Sequence, residues 1–179
     1  MSKYLFTGVH RAEIDTDKIG FPEPFYHAIY PEKKVVLAVI RNLLTGDKSL
    51  IGYKTGIWRF LESHLIALCD SPRVRSLHDD PHAVPSGIAD FLKSAVECKI
   101  MAPPPLKEDH AKRVQKTIAD EDYILQVPPE WIHQTGLGSQ AVLVGHGYHF
   151  EVWTSKDWRD LNKERRHSML SSAIPDIIA

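Results

Sequence analysis

The sequence predicts a mixed α/β fold, mainly β with short helices, built as two tandem units. The first observation behind this is an internal duplication. GFPEPFYHAIYP, around Pro22, superposes on QVPPEWIHQTGL, around Pro128, which sets Phe25 on Trp131 and His27 on His133. Continued without a gap, KVVLAV (34–39) falls on QAVLVG (140–145). The second is local. Each Pro-started segment is followed by a β-branched run, the pattern of a buried strand. The third is composition: 43% hydrophobic and 25% charged residues in 179 suffice for a packed core and exclude a chain that stays unfolded.

The elements follow in order. A β-prone stretch leads into each Pro-started short helix, because proline is pre-organised for the first helical turn and the residue before it favours extended geometry. Pro31 and Gly136 stop the two helices. Val35 to Ile40 and Ala141 to Val144 read as strands, and GHGYH (145–149) reads as a turn. In the first unit IWRFLESHLIAL (57–68) is laid over FEVWTSKDWRDL (150–161), each read as an aromatic-bearing strand running into a helix, with Leu61, Leu65 and Leu68 on one helical face. The alternation in HFEVW (149–153) gives a strand, and Thr154 with Asp157 three residues on is a capping box that opens the last helix. Ile88, Phe91, Leu92 and Ala95 recur at helical spacing after an N-cap at Ser86. Two stretches look irregular: 70–87, and the Pro-rich run beginning MAPPPLKEDH at 101. The units are therefore expected at 1–82 and 83–166, with an insertion at 101–119 and a mobile tail at 167–179.

Charge and cysteine use narrow the class. Lys+Arg 22 against Asp+Glu 23 gives 22 − 23 = −1, so no bulk field steers the chain to nucleic acid, and any phosphate contact must be local. Two cysteines, Cys69 and Cys98, are too few for a disulfide framework. No apolar run approaches the ~18 residues of a membrane span, and the N-terminus has no signal-peptide core. A cytoplasmic protein with no membrane partner is expected.

The order strand, Pro-started short helix, VVL strand, aromatic strand and helix, twice over, resembles the MraZ family of bacterial transcription regulators. The residues that carry the resemblance are LFTGVHRAEID (5–15), SAVECKI (94–100), VPPEWIHQTGLGSQAVLVGHGYHFEVW (127–153) and KDW (156–158). It implies two AbrB-like swapped-hairpin units related by a pseudo-twofold axis, a ring-like homo-oligomer, nucleoid association, and binding to promoter DNA with direct repeats upstream of a division and cell-wall gene cluster. The family pattern has an Asp followed four positions later by a DNA-contacting Arg in each unit. Here Asp15 is followed by a copy one residue short, with Lys18 nearest the Arg position, and Ile124 occupies that position in the second copy. Lysine can hold a phosphate but lacks the planar fork that reads guanine, and isoleucine can do neither.

The expected DNA-binding residues are accordingly Arg11, Lys18 and the Lys112, Arg113, Lys116 trio of the insertion, with Asp15 organising the turn as an Asx-type acceptor. An alternative is an MraZ-fold scaffold that has lost direct DNA binding. No nucleophile elbow, phosphate loop or dinucleotide fingerprint occurs, so no catalytic residue and no cofactor is assigned. His146 and His149 form an HxxH, and His10 would approach Cys98 if the first strands of the two units paired. Neither spacing supplies the three or four ligands a metal needs, and no metal is assigned. Gly145 and Gly147 are assigned to backbone geometry. His27 and His133 are read as packing at the duplicated interface, and Trp131, Trp153 and Trp158 as core or subunit contacts.

Overall fold

Among the described residues, eight short strands, each apolar on one face, pair edge to edge into a closed barrel. The computed structural model describes residues 5–41, 48–69, 86–102 and 123–172. The strands are β1 (Val9–Asp15), β2 (Lys18–Phe21), β3 (Lys34–Arg41), β4 (Lys48–Lys54), β5 (Val96–Met101), β6 (Tyr123–Gln126), β7 (Gln140–Gly145) and β8 (His149–Thr154). Their order is β1-β2-β6-β5-β3-β4-β8-β7, every pair is antiparallel, and β7 returns to β1 to close a barrel. Closure removes the unpaired N–H and C=O rows that make an open sheet edge prone to association. Strands from the first half of the chain thus alternate in pairs with strands from the second half.

Alternation decides what points inward. Ala12, Ile19, Phe21, Val35, Leu37, Leu50, Cys98, Ile100, Leu125, Leu143, Phe150 and Val152 form the interior cluster. Phe6, Phe21, Phe25 and Phe150 meet there with ring centroids 5.0–5.9 Å apart, mostly edge to face as aromatic quadrupoles prefer. Helices α1 (Glu23–Ile29) and α4 (Pro129–Gln134) start directly after Pro22 and Pro128, and their buried residues Phe25, Tyr26, Ala28, Ile29, Trp131 and Ile132 join this interior. Tyr30 precedes a cis proline, and Gly136 follows α4 at φ 65°, so both stops fall where the sequence places them.

A second, outer layer is smaller. Helices α2 (Thr55–Cys69) and α3 (Ser86–Ser94) cover β3, where Val36, Ala38, Ile51 and Trp58 are buried against Ile40, Leu61, Phe91, Leu92 and Ala95. Helix α5 (Ser155–Ser172) packs on β7 and β8 and opens with the expected cap, the Asp157 N–H donating to Thr154 Oγ1 at 3.0 Å.

The structure corrects four readings. Ile57 to Leu68 carries no strand; it lies wholly in α2, and the strand before it is β4. Leu61 and Leu65 are half-buried, but Leu68 is turned outward, and the residue the helix buries is Trp58. His27 and His133 are exposed, His27 lying 3.2 Å from the Glu23 carboxylate one turn back. β1 and β5 do not pair; His10 meets the Thr7 carbonyl at 3.0 Å and the Phe25 ring, away from Cys98. The 103–119 part of the insertion and residues 173–179 lie outside the described residues, whereas α5 continues past 166 to Ser172.

Candidate functional site

The β1–β2 hairpin turns through Thr16 and Asp17, with Asp15 opposite Lys18. Thr16 adopts φ 55°, and its hydroxyl donates to Asp15 Oδ1 at 3.2 Å, so the Asp15 carboxylate is an acceptor within the turn. Asp17 ties the hairpin to β6: its carbonyl accepts the Val127 N–H at 2.8 Å, and its carboxylate accepts the Gln126 side chain at 3.4 Å. Lys18 is exposed on the outer face of β2, beside Gln126 of β6. Arg11 is exposed further back on β1, about 13 Å from Asp15 at the rise of an antiparallel strand.

Ile124 faces outward on β6 between Gly20 and Met101, half-buried. The outer face of this ribbon therefore offers Arg11 and Lys18 as cations, with Glu13, Asp15 and Asp17 on the same hairpin. Such a face can hold a phosphate at Lys18, but three carboxylates nearby oppose a polyanion. Lys112, Arg113 and Lys116 lie outside the described residues. Among the other basic residues, Lys34 is committed to Glu97 at 2.7 Å, and Lys54 is half-buried over the Phe6 ring, where burial lowers its pKa.

A different group gathers on the outer face of β8. The HxxH pair, His146 and His149, is joined by Glu151, and the three potential ligand atoms all lie within 4.8 Å of one another. Sequence spacing missed Glu151 because it is an ordinary outward strand position, and only the tight β7–β8 turn brings it under His146. Trp153 Nε1–H donates to Glu151 Oε2 at 2.7 Å, and Tyr53 of β4 lies beside the His149 ring. Burial, reinforced by the charge of His146 and opposed by Glu151, holds His149 below its ordinary pKa. Burial, with Glu151, raises that of Tyr53.

Gly145 and Gly147 serve the backbone here. Gly147 has φ 81°, and a Cβ on Gly145 would sit 2.5 Å from the Phe6 and Thr7 backbone. The Phe6 and Gly147 amides and carbonyls bond reciprocally at 2.8 and 2.9 Å, which fastens the segment before β1 to the turn.

Compared with known protein families, the sequence matches no family model, and comparison with curated proteins finds no match.

Proposed function

We propose that this chain is a tandem pair of AbrB-like units of the MraZ type that binds promoter DNA with direct repeats as a ring-like homo-oligomer and regulates transcription. The observation that carries the reading is an exchange symmetry of the strand registers. Swapping β1 with β5, β2 with β6, β3 with β7 and β4 with β8 leaves every neighbour in the barrel unchanged. The swap holds residue by residue. It carries Val35–Cys98 onto Ala141–Ala12, Ile14–Ile19 onto Ile100–Leu125, and Val36–Tyr53 onto Val142–Trp153. Where the halves meet, Lys18–Gln126 becomes Ile124–Gly20, and Leu50–Val152 becomes Phe150–Gly52.

This register also realigns the last helices: Trp58-Arg59-Phe60-Leu61 falls on Trp158-Arg159-Asp160-Leu161, identical at three of the four positions. Interleaved strand pairs are what swapped hairpins from two equivalent units produce. The same exchange places Lys18 and Ile124 at equivalent outward positions, in agreement with the spacing that matched them to the family's Arg. Exposed Phe60, Ile66 and Leu68 on α2 support self-association, since apolar patches on a surface helix mark contact sites. Many weak contacts in one oligomer raise avidity on repeated sites without a basic whole-chain charge. Arg11, Lys18 and the Lys112, Arg113, Lys116 trio then hold phosphates.

A second reading, a scaffold of the same fold without direct DNA binding, is favoured by the ribbon face itself, where Ile124 replaces a cation and Glu13, Asp15 and Asp17 surround Lys18. Fluorescence anisotropy on a labelled promoter fragment with direct repeats, against random duplex and across a salt series, separates the two. DNA binding predicts preference for the repeats and a log–log salt slope of about 0.9 per phosphate contact. Lys18→Ala is expected to weaken binding and to reduce that slope by about 1. Equal binding to both duplexes at low salt overturns the sequence-specific reading, and binding to neither supports the scaffold.

A further inference from the structure

We propose that His146, His149 and Glu151 form a binding site for a divalent transition metal, of the Zn²⁺ type, at the β7–β8 turn. The geometry is close to what a metal requires. Bonds of 2.0–2.1 Å to nitrogen and oxygen in a tetrahedral site place ligand atoms about 3.3 Å apart. His146 Nε2 and Glu151 Oε2 are already 3.4 Å apart, and all three donor atoms fall within 4.8 Å. Bringing all three onto one ion requires an imidazole to turn out of the His146–His149 stack, whose ring centroids lie 5.2 Å apart.

The framework is fixed before any ion arrives. The His146 N–H donates to the His149 carbonyl at 2.9 Å, and the turn between them is clamped to Phe6 through Gly147. Glu151 sits in register between Val144 and Ile51, in the middle of the β7–β8–β4 sheet. Its carboxylate is oriented by the Trp153 indole N–H at 2.7 Å, the kind of outer hydrogen bond that steers a ligating carboxylate.

The ligand chemistry selects the ion. Two imidazoles and one carboxylate suit zinc, copper or nickel; calcium and magnesium demand an oxygen shell this site lacks. Three protein ligands leave a further position for solvent or an external donor. The barrel itself does not need these residues. Under the exchange of the two halves, His149 and Glu151 correspond to Ser49 and Ile51 on β4, where the same sheet is built without them. The competing account is a plain ion pair between a protonated His146 and Glu151, which needs no metal.

The test uses full-length, tag-free protein stripped with chelator and titrated with Zn²⁺ alone against a chromophoric chelator, and with Co²⁺ followed by its visible absorption. Saturable binding of one equivalent is expected, with a shift of the Trp153 indole N–H resonance in the NMR spectrum. The His146→Ala/His149→Ala variant is expected to lose that equivalent, and Trp153→Phe to weaken it about 10-fold or more. Glu151→Gln, which keeps the shape of the strand, serves if the double variant fails to fold. Absence of saturable binding by wild type overturns the proposal. So does an equivalent retained in the variants, which would place it on others of the ten histidines. An unmoved Trp153 resonance does the same.

Discussion

Gly52 shows how tightly single positions are set. A Cβ there would lie 2.2 Å from the Phe150 ring, and that ring is itself enclosed by Phe6, Phe21 and Phe25. It has nowhere to retreat. Gly52→Ala is therefore expected to destabilise the protein by about 1–3 kcal/mol, the usual cost of overpacking, read as a lower urea midpoint at an unchanged slope. Cys98 makes a different point. Its thiol faces the barrel interior, and burial pushes its pKa up to about 12, so at neutral pH almost none of it is the reactive thiolate. In a Cys69→Ser background, a disulfide reagent at pH 8 is expected to label Cys98 only as fast as the barrel opens; prompt labelling in the native state would refute that burial. Neither property is visible in the sequence, because both depend on which strand lies across the barrel.

At the scale of elements, local chemistry was a good guide wherever one signal dominated. Pro22 and Pro128 start α1 and α4, Gly136 ends α4, and Thr154 caps α5, each because a backbone group needs one kind of residue at one place. Thr154→Ala is expected to cost about 1 kcal/mol through loss of the hydroxyl that accepts the Asp157 N–H, measured by thermal or urea unfolding. The reading failed at Ile57 to Leu68. Trp58-Arg59-Phe60 alternates like a strand over three residues only, whereas Trp58, Leu61 and Leu65 repeat at helical spacing, and it is Trp58 that the outer layer buries. The true strand, Lys48–Lys54, carries a glycine and one β-branched residue, Ile51, and so gives a weak local signal. Its stability comes from its neighbours β3 and β8.

For the whole molecule, interleaving is the governing fact. Every boundary between strand pairs in the barrel joins the first half of the chain to the second, at β2–β6, β5–β3, β4–β8 and β7–β1. Neither half can close its own sheet. Unfolding is accordingly expected as a single cooperative transition, with tryptophan fluorescence and far-UV circular dichroism melts superimposing; two separated transitions would show that the halves are independent. At the β1–β2 hairpin the sequence named Asp15 and Lys18 by charge and spacing, while their exposure and their position opposite one another come from the strand pairing. The histidine cluster was only half legible, as two ligands without their third.

The sequence by itself determined the Pro-started helices, the apolar runs and the near-zero charge, because each is written in composition or in contacts a few residues apart. Tertiary structure alone decided the order of strands, their pairing registers, and the meeting of Glu151 with His146 and His149. Those depend on pairings between distant segments, where the energy comes from closing the barrel and burying both halves in one core, and no local pattern encodes that choice.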